Sequence, residues 1–129
     1  MAVTATIEQA PSGLAATSPA EQRRTRLEAE LQRFLAIVID QMHPERIILF
    51  GSLVTGQVHE WSDLDLVVVA ETELPFLERL RVISELLTPR VGTDVFVYTP
   101  NEWEHLRQTR LFVQEEMVQK GRVLYERVQ

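Results

Sequence analysis

The chain contains no cysteine, so neither a disulfide framework nor a thiolate metal site can be built from it. Positive charge is also scarce: Lys plus Arg number 13 against 19 Asp plus Glu, a net charge of −6. Holding nucleic acid by phosphate neutralisation needs clustered basic side chains, so direct nucleic-acid binding is not expected. Arg23, Arg24 and Arg26 form the one dense basic cluster, which a solvated helix start would explain. No apolar run approaches the roughly 20 residues of a membrane span. The opening "MAVTATIEQAPSGLAATSPA" lacks a basic n-region and an unbroken apolar h-region, so no secretory signal is expected and the cytoplasm is the expected compartment.

What is present suits one domain. The 129 residues are 45% hydrophobic, enough for a core without cross-links. The Ala, Thr, Ser and Pro of residues 1–20 predict a loose tail ahead of a domain over 21–129. From Glu21, apolar residues from Leu27 to Met42 recur at three- and four-residue steps, predicting a long helix that His43-Pro44 ends. "RIILF" reads as a strand, followed by a loop of about a dozen residues and a second strand, "DLDLVVVA". Pro75 opens a further helix, and "TDVFVYT" is a third strand. Thr99, Pro100 and Glu102 make a capping box, from which one or two helices run to about Lys120, and Gly121 stops the last before a short edge strand or irregular end. The order predicts an α/β (α+β) domain with a small mixed sheet flanked by helices. The first two strands are joined too closely for a crossover helix and should be antiparallel.

In a strand, residues two apart share a face, so Asp63 and Asp65 point together while Leu64 and Leu66 point into the core. No Lys or Arg lies between Arg46 and Arg79 to neutralise them. A divalent ion would, and hard oxygen donors of this kind suit Mg²⁺ or Mn²⁺. Asp94 begins the third strand at an equivalent place; beside the other two it would complete a set able to bridge two ions about 3.5–4 Å apart. Gly51-Ser52, directly after the first strand, offers amides and a hydroxyl for the β- and γ-phosphates of a nucleotide. Asp94 would then draw the proton from an attacking hydroxyl.

The pattern Gly51-Ser52, ten residues, Asp63-x-Asp65 resembles the signature of the minimal nucleotidyltransferases (MNT), small members of the DNA polymerase β-like superfamily. The similarity spans about Arg46 to Glu126 and includes "ILFGS", Gly56, "SDLDLVVV", "TDVFVYTPNEWEHL" and "GRVLYE". The resemblance implies a nucleotidyltransferase fold. It also implies transfer of a nucleoside monophosphate, usually AMP from ATP, to an acceptor hydroxyl with release of pyrophosphate. Asp63, Asp65 and Asp94 would hold two Mg²⁺ ions (or Mn²⁺) and carry the catalysis; Gly51 and Ser52 would bind the nucleotide. Many members carry arginines just after the Gly-Ser, where this chain has Leu53 and Thr55, a change expected to weaken or redirect nucleotide binding.

MNT proteins resemble the antitoxin half of HEPN/MNT toxin–antitoxin pairs, which implies a HEPN-type toxin as partner and AMP transfer to a tyrosine on it. A small-molecule acceptor, as in aminoglycoside nucleotidyltransferases, and a non-catalytic antitoxin acting by contact alone are the alternatives; homo-oligomerisation stays open. Elsewhere, His43, His59 and His105 show no metal-ligand spacing. Trp61 is expected in core or loop packing rather than against a base. Trp103 and Leu106 should form a buried helix face, Tyr98 and Tyr125 should pack, and Ser62 should shape the turn before Asp63.

Overall fold

The computed structural model describes residues 17–128. Helix α1 spans Pro19–Met42 and starts two residues ahead of the expected Glu21. Ser18 caps it: its hydroxyl accepts from the Glu21 amide while the Glu21 carboxylate accepts from the Ser18 amide, with Pro19 opening the first turn. The rest of the expected tail, residues 1–16, lies outside the described residues. His43, left-handed at φ 48°, ends the helix before Pro44.

Strand β1 (Arg46–Phe50) leads into a single helical turn, α2 (Ser52–Thr55), and then β2 (Leu64–Val69). Helix α3 (Phe76–Leu87) crosses over to β3 (Thr93–Tyr98). Helix α4 (Pro100–Thr109) carries the expected capping box, with Thr99 and Glu102 exchanging hydrogen bonds. A π-helical segment (Val113–Gln119) and β4 (Arg122–Glu126) complete the chain.

The sheet order is β3-β2-β1-β4. β1 runs antiparallel to β2, as the short connection requires, and to β4; β2 and β3 are parallel, joined through α3. The sheet is therefore mixed, with helices on both faces. On one face, Leu27, Leu31, Phe34 and Val38 of α1 and Ile83 and Leu87 of α3 cover Leu49, Leu64, Leu66 and Val97. Each such fully buried side chain contributes about 1.5–3 kcal/mol. On the other, Trp103, Val113 and Met117 cover Ile48, Phe50, Val67 and Val69. β2 is consequently buried on both sides, and Asp65 is the one residue that breaks its run of buried side chains. Among the described residues no helix is long and apolar enough to cross a membrane.

Candidate active site

The carboxylates gather where β1 ends and β2 and β3 begin. Asp65 is the register partner of Phe50 on one side and of Asp94 on the other. Asp65 and Asp94 share the α4 side of the sheet with Val67, Phe96 and Tyr98, at paired positions of two neighbouring parallel strands. Burial, then the Asp94 and Asp63 carboxylates close by, pushes the Asp65 carboxyl up to about 7.

Asp63 differs from expectation in one respect. It lies just outside β2, which begins at Leu64, and it is exposed. The Leu64 amide donates to the Gly92 carbonyl (2.9 Å), drawing the loop against the head of β3. Asp63 thereby rests on Gly92, where a Cβ would collide with its Oδ1. The structure thus brings Asp65 and Asp94 side by side and keeps Asp63 within electrostatic reach. Among the described residues, no group of three His, Asp or Glu is arranged to hold a metal ion with the side chains as they stand.

Gly51 has a second task beyond leaving room for a ligand. Its φ of 82° lies in the left-handed region, and a Cβ there would strike the Asp65 carboxylate. One glycine therefore sits under each of two aspartates. The Gly92 contact was not anticipated from sequence, although the Gly immediately before Thr93-Asp94 is its visible trace. Ser52 follows at the start of α2, whose Val54 and Thr55 amides both return to the Gly51 carbonyl (3.1 Å each).

Leu53 is buried in the main core, so this position serves packing. Cations reach the loop from α1 instead. Arg23 Nε donates to the Ser62 carbonyl (2.8 Å), Arg24 Nη2 to the Gly56 carbonyl (3.4 Å) and Arg26 Nη2 to the Arg90 carbonyl (3.4 Å). The arginine cluster is thus more than a solvated helix start: it ties α1 to the two loops that carry Asp63 and Gly92. Ser62 is buried and accepts from the His59 amide (2.9 Å), which shapes the turn as expected. His59 in turn accepts from the Trp61 amide through Nδ1. Trp61 does not pack; it is 76% exposed. Trp103 is buried, and Tyr98 stacks on it with ring centroids 6.2 Å apart.

The family profile described as "Polymerase beta, Nucleotidyltransferase" matches residues 32–129. The chain belongs to this polymerase beta nucleotidyltransferase family. Solved structures share the nucleotidyltransferase architecture. A protein from Sulfolobus solfataricus, provisionally described as a nucleotidyltransferase, superposes with a TM-score of 0.62 at 18% identity, over 85% of this chain and 89% of that one. A toxin–antitoxin complex with AMP-PNP gives 0.51 at 22% identity, over 74% and 73%. A mutant of the toxin–antitoxin pair MntA-HpeT gives 0.52 at 24%, over 74% and 72%. No curated protein matches the chain by sequence.

The polymerase beta nucleotidyltransferase assignment gives the acidic cluster a chemical context. A fold of this family pairs nucleoside triphosphates with divalent metal, and the donor set here suits such an ion. Asp65 and Asp94 offer hard oxygen donors at paired strand positions, burial and the neighbouring carboxylates raise the Asp65 carboxyl to about 7, and a divalent cation would relieve that repulsion.

Proposed function

We propose that the protein transfers AMP from ATP to a hydroxyl of a partner protein, as the antitoxin of a HEPN/MNT-type pair. The observation that carries the reading is the pairing of Asp65 with Asp94 beside the Gly51-Ser52 turn, with Asp63 adjoining. The neighbours described as toxin–antitoxin complexes, one with AMP-PNP, support a toxin partner and an adenine nucleotide.

In this reading Gly51 and Ser52 hold the β- and γ-phosphates, and α1 arginines keep the adjoining loop in place. Asp63, Asp65 and Asp94 would hold two Mg²⁺ ions. When bound, these would offset the negative charge of the triphosphate and of the attacking and departing oxygens. The acceptor oxygen attacks the α-phosphorus, its proton passes to Asp94, and the bond from that phosphorus to the bridging oxygen breaks to release pyrophosphate. Arg23, Arg24 and Arg26 each donate to a loop carbonyl and keep their charge, so they hold the loops while adding positive potential on that side.

The test incubates the protein with ATP labelled at the α-phosphate and Mg²⁺, alone and with the product of the adjacent gene. Label on the partner that vanishes with Asp63→Asn is the expected result. Silencing of the partner that survives Asp63→Asn, with no label on it, would leave a contact-only antitoxin. Label found only on small hydroxylated compounds would favour the small-molecule acceptor.

A further inference from the structure

Aromatic rings on the α4 side of the sheet form a row that runs from the core into the open. Trp103 stacks on Tyr98 with centroids 6.2 Å apart, Tyr98 on Phe96 at 6.3 Å, and Phe96 on Phe50 at 6.2 Å. Those four are buried or half-buried. The ring that ends the row is not: Phe112 meets Phe50 at 88° with centroids 6.4 Å apart, yet it is 58% exposed. A perpendicular contact takes up at most one face of the Phe112 ring, which leaves an apolar face to solvent.

Its neighbours fix where that face stands. Phe50 is the last residue of β1, directly before the Gly51-Ser52 turn, and it is the register partner of Asp65. Directly opposed residues of an antiparallel pair put their side chains on one face of the sheet, with Cβ atoms about 4.5–5.5 Å apart. The Phe50 side chain therefore adjoins that of Asp65. Phe112, at the corner between α4 and the π-helical segment, rests on the Phe50 ring and is one ring removed from the acidic cluster. The other strongly exposed aromatic side chain among the described residues, Trp61, shares a concavity with Pro19, Gln22 and Arg23 and so lies towards α1.

We infer that Phe112 seats the base of the nucleotide, which stacks on the open face of its ring while the triphosphate lies at Gly51 and Ser52. The inference rests on the transferase reading for the presence of a nucleotide and adds the residue that holds its nucleoside end. With Leu53 packed in the core and no arginine between Arg46 and Arg79, the phosphates have few cations along this stretch, and the base carries a larger share of the affinity. An aromatic ring reads the area of a base more than its hydrogen-bonding edge, so the stack favours purines over pyrimidines.

The test is calorimetric titration, with Mg²⁺ present, of ATP, CTP and inorganic tripolyphosphate into the parent protein, Phe112→Leu, Phe112→Trp and Trp61→Leu. Leucine keeps an apolar side chain on Phe50 but offers no ring. Phe112→Leu should weaken ATP about tenfold and CTP less, as the loss of one base–aromatic stack does. Tripolyphosphate, which has no base, should bind it as it binds the parent, and this shows that the Gly51-Ser52 turn is intact. Phe112→Trp should hold ATP at least as tightly as the parent, and Trp61→Leu should change nothing. Unaltered ATP affinity in Phe112→Leu, or equal weakening of ATP and tripolyphosphate, would overturn the inference. So would a loss of ATP binding that follows Trp61→Leu instead. A parent protein that binds no ATP would bring down this inference and the AMP-transfer reading together. ATP binding that needs Phe112, with no label reaching any partner, would remove the transfer reading and leave the base site standing.

Discussion

Two regions of this molecule hold carboxylates out of full solvent, and they treat them in opposite ways. Beneath α1, Glu30 is 4% exposed, yet Arg33 grips it with Nε and Nη2 at 2.9 and 2.8 Å and the Arg90 amide donates at 2.6 Å. The Arg33 hydrogen bonds, outweighing burial and helped by Arg90, hold its carboxyl below the usual glutamate range. Glu102 likewise is lowered, by Arg79 first. At the strand heads Asp65 has only Asp94 and Asp63 for company, and it is raised to about 7. A carboxylate that the fold uses for structure brings its own cation along the chain. One left among its own kind awaits a cation from outside, and that is the physical mark of a site for charged substrates and ions.

The sharpest way to break the contrast is Asp65→Asn. Removing the central charge relieves repulsion, so thermal stability should hold or rise, while the proposed AMP transfer should fall by about a thousandfold, the equivalent of several kcal/mol of lost transition-state stabilisation. A melting curve beside a labelled-ATP assay separates the two. A variant that unfolds, or one that keeps its rate, would place Asp65 with Glu30 as a structural residue.

Next in size is Arg79→Met, which turns a supplied carboxylate into an unsupplied one. Arg79 is 8% exposed and donates to the Leu74 carbonyl (2.8 Å), the Val97 carbonyl (3.0 Å) and Glu102 Oε1 (2.6 Å). Stranding a buried partner costs about 3–5 kcal/mol. Glu102 is 42% exposed at its side chain, so water takes over part of the role and about 2 kcal/mol is the expected loss. Chemical denaturation measures it, and transfer per folded molecule should change little. An equal loss of stability and of specific activity would mean that Arg79 reaches the acidic cluster.

The succession of strands and the place of the aspartates at the strand heads could be read beforehand because their signals are local. Alternation and apolar runs mark β1, β2 and β3, and Asp65 stands out in a strand that is otherwise buried on both faces. What escaped depends on partners distant in the chain or on periods that leave no pattern. α2 is four residues long, too short for a helical period to register. The π-helical turn has no repeat to distinguish it from an α-helix. Nothing in "RVLYE" says that it joins β1 rather than β3 at the other edge. Glu30 sits on a helix among charged neighbours, and only the arrival of the Arg90 amide from sixty residues away makes it a buried residue. Arg23 and Gly92 show the same dependence: each matters for the atom it meets across a loop.

The smallest effect expected is a dependence of stability on pH that belongs to Glu30. Its carboxyl is lowered in the folded protein relative to the unfolded chain. The stabilisation it lends is therefore complete above the ordinary glutamate pKa near 4.5 and is lost as pH falls through the lower, folded value. Its worth is on the order of 1 kcal/mol, about that of a charge-assisted hydrogen bond opposed by burial. Glu30→Gln should lower stability by that amount at pH 7 and converge on the parent in acid, as denaturation at a series of pH values would record. Parallel curves at every pH would show that the Arg33 and Arg90 contacts need the shape of the side chain and not its charge. The Glu30 region would then have no cation requirement to set against that of Asp65.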